Sequence, residues 1–294
     1  MAEEWKGTLG FGAEGSWGTG VVADTWLKHL DRPTIIQTPD AKVLPGTRGD
    51  PDAYDSVITQ YRAQGEIGNI HVVAGEFDEL FEIAMGAEAG GVYTLVDTDL
   101  PSMTIEENVG GFQGFRTTGA KIDTLGLSAA VNDVLMASLG IIAKDRLPIG
   151  TANLTATSYV EGNPFIFYQG VLVLGGVTYQ ITSFSLQLNN GHKYPNHRSG
   201  DAYTKEPTLG SREITGSFTT DFDAQALYDL WQTHGTAAMS YTFTSGSASL
   251  ALSLPIVKVM PDWSTEADGP ETMQTVQFRS FRDGSNLPLQ VTIA

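Results

Sequence analysis

The chain has 294 residues, carries 34 acidic against 17 basic side chains for a formal net charge of −17, and contains no cysteine. No disulfide framework or thiolate metal site is available to it, and clustered Lys and Arg for gripping a phosphate backbone are scarce. With 41% apolar residues the chain holds enough hydrophobic material for one large core or two smaller ones.

Residues 1–20 are acidic and Gly-rich, unlike a secretory signal, and read as an N-terminal arm. No apolar run reaches the ~18 residues of a membrane helix. The glycines of Gly10-Phe-Gly-Ala-Glu-Gly15 match the dinucleotide-binding spacing, but no buried strand precedes them and no helix pattern follows, so a terminal arm is expected instead.

In chain order, Thr34–Val43, Glu66–Ala74, Val92–Val96, Met103–Glu107, Ala120–Ser128 and Val134–Ile142 are short runs rich in Val, Ile and Thr, which predicts strands. One helix is predicted among them at Glu76–Met85, with Phe77, Leu80, Phe81 and Ala84 at helical spacing and Gly86 just past its end. Then Gly170–Leu188 predicts a β segment turned at Gly175-Gly176, and Glu213–Thr220, Ala238–Thr244, Ser249–Val259 and Thr272–Ser280 predict further strands. A second helix is expected at Ala224–Thr233, capped by Asp223, buried through Leu227, Leu230 and Trp231, and ended by Gly235.

The two halves repeat one another. At a spacing of 147 residues Glu66 falls on Glu213, Leu80 on Leu227, Phe81 on Tyr228, Met103 on Leu250 and Ile105 on Leu252. The expected fold is therefore mainly β with one helix per half, a duplicated β-sandwich or half-barrel whose seam lies within 147–162.

Chemistry-bearing patterns are sparse. The five histidines lack partners at metal-ligand spacing, no Gly-x-Ser-x-Gly elbow occurs, and Asp221 with Asp223 is explained by a helix start. No catalytic residue, cofactor or metal is assigned. Two polar segments stand out instead, Leu44–Gln64 and Asn190–Ser211, each expected to be a long loop. Arg48, Asp50, Tyr54, Tyr61 and Arg62 in the first, and Tyr194, Arg198, Asp201, Tyr203 and Arg212 in and beside the second, have the aromatic and Arg character of protein–protein contacts.

Several pieces, taken in order, resemble the tail tube proteins of long-tailed, siphovirus-like bacteriophages. They are Gly15-Ser-Trp-Gly-Thr19, Gln37-Thr-Pro-Asp-Ala-Lys-Val-Leu-Pro-Gly-Thr-Arg-Gly49, Leu100-Pro-Ser-Met-Thr-Ile-Glu106, Gly119-Ala-Lys-Ile-Asp-Thr-Leu-Gly-Leu-Ser128, Ser183-Phe-Ser-Leu-Gln-Leu-Asn-Asn190 and Glu206-Pro-Thr-Leu-Gly-Ser-Arg-Glu-Ile-Thr-Gly-Ser-Phe218. The stretch Asp262–Pro270 has no counterpart in that pattern. The resemblance implies two tail-tube domains, 21–155 and 156–294, after the arm 1–20. It also implies self-assembly into stacked rings in the virion tail after synthesis in the host cytoplasm, with the ten residues above as candidate ring-stacking contacts. A tape measure protein, a distal tail tip and a tail terminator are the implied partners, with transient, non-adhesive passage of double-stranded DNA and no membrane insertion.

If one tube domain fills a sixth of a ring, a duplicated chain closes it as a trimer; if only one half enters the inner barrel, six chains are needed. Residues 1–147 hold 22 acids and 10 bases, and the remainder 12 and 7, so a negatively lined channel with most repulsion from the first half is expected. The competing class is a virion decoration or carbohydrate-binding β-sandwich.

Overall fold

The computed structural model describes residues 7–45, 52–150, 159–160, 162–194, 200–222, 225–260, 264–268 and 271–294. The first half contains β1 (Thr8–Ala13), β2 (Thr25–Leu27), β3 (Ile36–Pro45), β4 (Ala53–His71), α1 (Asp78–Met85), β5 (Gly86–Ala89), β6 (Val92–Leu95), β7 (Met103–Val109), β8 (Gln113–Ala130), β9 (Met136–Ala143) and β10 (Asp145–Ile149). The second contains β11 (Gly170–Leu174), β12 (Val177–Tyr179), β13 (Ile181–Asn189), β14 (Glu213–Asp221), α2 (Gln225–Thr233), β15 (Thr236–Ser245), β16 (Ala248–Val259), β17 (Ser264–Asp268), β18 (Glu271–Ser280) and β19 (Gln290–Ile293).

Eight strands form one broad antiparallel sheet in the order β3–β4–β9–β8–β13–β14–β18–β17. Its middle is the ladder between β8 and β13, in which Thr124 to Ala130 oppose Asn189 to Ser183 and the two halves become one sheet. The N-terminal part of β8 leaves this sheet for a second layer, β2–β1–β7–β8–β10. The second half repeats the arrangement as β12–β11–β15–β16–β19. Within the broad sheet, β3–β4, β4–β9 and β9–β8 find their counterparts in β13–β14, β14–β18 and the pairing of β18 with β16 and β17.

The 147-residue spacing holds for the helices, since Asp78 of α1 maps to Gln225 of α2, and fails beyond them. Met103 and Ile105 lie in β7, whereas Leu250 and Leu252 lie in β16, the counterpart of β8. The cause is the β5–β6 hairpin, present after α1 and without an equivalent after α2. That hairpin ties the halves a second time, because β6 pairs with β19 through Thr94 and Gln290.

Both helices pack as their apolar spacing requires. α1 buries Leu80, Phe81, Ile83, Ala84 and Met85, and Gly86 closes it at φ 101°, a left-handed position where a Cβ is strained. In α2 Leu227 is buried, but the left-handed residue is His234 at φ 49°, one position before Gly235. The proposed cap Asp223 lies outside the described residues.

The first correction concerns the chain start. Residues 8–13, expected within a terminal arm, form β1, with Leu9 and Phe11 buried and paired to β7. Its glycines serve packing: a Cβ on Gly10 would come within 2.8 Å of the Trp26 ring, and one on Gly12 within 2.9 Å of the Val22 carbonyl. The second correction concerns 44–64, expected as a loop. The described part is the end of β3 and most of β4, a long hairpin that projects past the broad sheet as an arm. Gly, Pro and Asp gave the stretch a loop's composition, while Tyr54, Val57, Ile58 and Thr59 supply the β propensity that the ladder uses.

The strand ends define two rims. The arm end gathers Ala63, Lys121, Ala143, Asn189, Glu213 and Ser280; the turn end gathers His71, Ala130, Met136, Ile181, Asp221 and Met273. Between the layers of the second half, Phe184 sits 4.5 Å from Tyr241 and 6.4 Å from Phe278, ring centroid to ring centroid. Phe184→Ala is expected to cost about 3–5 kcal/mol by opening a cavity there, read as a lower denaturant midpoint at unchanged slope.

Candidate assembly surfaces

Three surfaces carry the polar and aromatic residues that have no role in the core: the arm, the segment that crosses its base, and the open face of the broad sheet. The arm is held at its root by Arg62, whose guanidinium donates to Asp40 at 2.6 Å, and by Gln60, which donates to the same carboxylate. Farther out, Val43, Val57 and Ile58 are exposed apolar side chains, and Tyr54 is 47% exposed.

The described parts of 190–211 fold back over the arm-end rim. Leaving β13, this segment passes the ends of β8 and β9 and reaches β4. The ring of Tyr203 stacks on Tyr61 at 5.6 Å, the Tyr61 amide donates to the Ala202 carbonyl at 2.9 Å, and the Tyr194 hydroxyl donates to the Ala63 carbonyl at 3.0 Å. Burial pushes the Tyr194 phenol up to about 12. Asp201 accepts the Tyr203 amide at 2.9 Å and shapes the turn.

Beneath the crossing segment lies Lys121, fully buried, with its ammonium 2.8 Å from the Glu206 carboxylate and 3.3 Å from the Pro207 carbonyl. Beside it Asp123 accepts both the backbone amide of His192, at 2.7 Å, and ring nitrogen Nδ1, at 3.1 Å. Burial alone would raise the Asp123 carboxyl, but the His192 contacts hold it below the usual carboxylate range. Arg212 lies apart from this clamp. It donates to Asn190 at 3.0 Å and to the Val96 carbonyl at 2.9 Å, and desolvation with nearby Arg282 lowers its pKa although Asp97 opposes this.

Of the ten contact residues expected from sequence, Arg48, Asp50 and Arg198 lie outside the described residues. Tyr61, Tyr194, Asp201 and Tyr203 come together, Arg62 stands next to them, Arg212 lies elsewhere, and Tyr54 sits out on the arm. Most therefore lock one segment of the chain onto another. Lys121, Asp123, His192 and Glu206 were missed, because a buried Lys–Glu contact 85 residues apart leaves no periodic trace.

The open face of the broad sheet is built of small polar side chains. Alternation places Phe184, Leu186 and Leu188 of β13 inward and Ser183, Ser185, Gln187 and Asn189 outward; in β14, Thr215, Ser217 and Thr219 share the outward face. Hydroxyls bond across strands, Ser183 to Thr219 at 3.0 Å, Thr219 with Thr275 at 3.1 Å and Ser185 with Ser217 at 2.9 Å. On the first half's side the same rows continue through Ser128, Gly126 and Thr124 of β8 to Ser138 and Gly140 of β9. A Cβ on Gly140 would lie 2.2 Å from the Thr124 hydroxyl, so glycine makes room for these hydroxyls.

A surface of this kind, with an exposed apolar arm and a polar sheet face spanning both halves, suits an assembling scaffold. The family model described as phage tail tube protein matches residues 5–290. The chain belongs to the phage tail tube protein family. It is a structural tail tube protein that self-assembles in the virion tail. No curated relative matches the chain. No helix among its described residues is long and apolar enough to cross a membrane.

The clamp of this tail tube protein is open to a double-variant test. Glu206→Ala leaves the Lys121 charge buried without its counter-ion and is expected to destabilise by ~2–3 kcal/mol, while adding Lys121→Met recovers most of the loss. Thermal melts and the rate of proteolytic cutting within 194–211 measure both effects.

Proposed function

We propose that this chain is two tube units in one, 21–155 and 156–294 joined within a single sheet, and that three chains close each ring of a siphovirus-like tail tube. The observation that carries this reading is the β8–β13 ladder. There the last broad-sheet strand of one half pairs with the first of the next. The equivalent edges at the two ends of the sheet have no partner among the described residues. At one end Leu30–Ile36 follows β4 through the Leu30 amide to Asn69 and the Thr34 amide to Glu66, leaving its far side open. At the other, β17 pairs with β18 alone. A neighbouring copy that repeats the internal junction satisfies both edges and removes an aggregation liability.

In this reading the hydroxyl face lines the channel through which double-stranded DNA passes during genome ejection. Its charges are few: Glu66 and Asp221 have no cation partner among the described residues, and Glu213 is paired with Arg279 at 3.0 Å. Weakly negative hydroxyl and amide groups offer phosphates no cation to hold, which favours sliding over binding. The first half's excess of acids does not reach this face in proportion, since Glu106 and Glu107 are buried in the second layer and Asp40, Asp52 and Asp55 lie on the arm. The arm, with its clamped base, stacks ring on ring. Inside and at its ends the tube meets a tape measure protein, a tip complex and a terminator, after assembly in the host cytoplasm.

Native mass spectrometry with rotational averaging of electron micrographs tests the stoichiometry. Rings of three chains with pseudo-sixfold outline are expected; six chains per ring would assign a single half to the inner barrel. Persistent monomers with glycan affinity would replace the tube reading with a decoration or carbohydrate-binding role.

A further inference from the structure

The turn end of the broad sheet has an unexplained surface. In the turn after β8, Val131 is 52% exposed, and just past β14 Phe222 is 51% exposed. They sit two strands apart, roughly 10 Å, their amides bonded to Thr182 and Thr272. Beside Val131 stands Tyr168, 78% exposed, on the 3-10 turn Phe167–Gln169, which is fixed by the Phe167 amide donating to the Asp133 carbonyl.

Charge is distributed unequally between the rims. The segments that meet at the turn end, 71–75, 130–136, 165–170, 180–182, 220–222 and 264–273, contain no Lys or Arg, and Asp133 and Asp221 are exposed there. At the arm end Lys42, Lys193 and Lys205 are exposed with no ion-pair partner among the described residues. The apolar arm residues Val43, Val57 and Ile58 project from that same end.

We propose that the turn-end surface around Val131, Tyr168 and Phe222 is the seat for the arm of a second copy stacked head to tail, with Asp133 and Asp221 facing the lysines of the incoming arm end. The inference rests on the tube reading and adds the receiving surface to it. Charge complementarity selects the occupant, because turn end against turn end would set carboxylates against carboxylates, whereas arm end against turn end pairs cations with anions. A contact between two different surfaces does not close on itself, so it propagates as a filament of one polarity.

Within one chain the arm and the seat cannot touch. They lie beyond opposite ends of β14, whose nine residues span about 27 Å. The natural chain has no cysteine, so Ile58→Cys with Phe222→Cys supplies the only two thiols. Treating assembled tubes with a short flexible bismaleimide should then give a covalent ladder of many chains, while either single variant stops at dimers. Tubes that form without a ladder overturn the inference and leave the tube reading standing; absence of any polymer from the unsubstituted chain overturns both.

Charge reversal gives an independent reading. Asp133→Lys with Asp221→Lys should shorten tubes about tenfold in rings that still form and melt normally, and adding Lys193→Asp with Lys205→Asp should restore length. Tubes of unchanged length in the first variant would overturn the proposal.

Discussion

The ladder between β8 and β13 is the contact on which the rest of the structure depends. It gives each of seven residues from Thr124 to Ala130 an antiparallel partner, and it fixes the inward and outward faces of both halves in one register. Because side chains alternate with period two, a slip of one residue would turn Leu186 and Leu188 outward and carry Ser185 and Gln187 into the aromatic core around Phe184 and Tyr241. The penalty on that slip falls on both halves together, since β9 on one side and β14 on the other inherit the register.

From that register follows the division of labour between the layers. Inward residues meet the second layer and the helices. Outward residues, cleared of bulk by Gly126 and Gly140, form the hydroxyl rows. The two ends of the broad sheet are left as edges for the same reason that its centre is satisfied: an antiparallel unit repeated twice in one chain has used one of its junctions internally. The segment 190–211 then does for the first half's arm what no residue of the arm can do alone. It crosses the rim and pins β4 through Tyr61, Ala63 and the buried Lys121 contact.

Local pattern made the strands, both helices and the mainly β class legible in the sequence, because periodicity and caps are local. Gly86 marks the end of α1 as its left-handed φ requires. What escaped was non-local. The β5–β6 hairpin broke the 147-residue spacing, since an insertion is invisible to a fixed offset between weakly similar halves. The arm's Gly, Pro and Asp concealed a ladder whose strands are sustained by pairing rather than by burial, and β1 was concealed by glycines that exist to admit Trp26. Of the candidate contact residues, the tyrosines were recognisable as anchors, but composition could not show that Tyr61, Tyr194 and Tyr203 anchor one part of the chain to another. The hydroxyl face was present in the sequence as Ser183, Ser185 and Gln187 alternating with Phe184, Leu186 and Leu188, and only the ladder to β8 shows that it extends across both halves.

The net charge of −17 therefore has more than one cause. Part of the first half's acidity is structural: Glu14 accepts from Ser102, Thr104 and the Gly18 and Gly119 amides, Glu106 takes the Arg116 guanidinium, and Glu107 takes Arg32 and Arg146. These carboxylates tie β1, β7, β8 and β10 together, and their fields are compensated or satisfied where they stand. A further part lies on the arm, and the sheet face keeps only a few. Repulsion of a phosphate backbone from that face thus depends less on the number of carboxylates than on the lack of free cations among hydroxyls already bonded to one another. A surface can be non-adhesive to DNA by offering nothing to exchange for the counterions, and a total charge summed over the sequence does not distinguish that from a ring of acids.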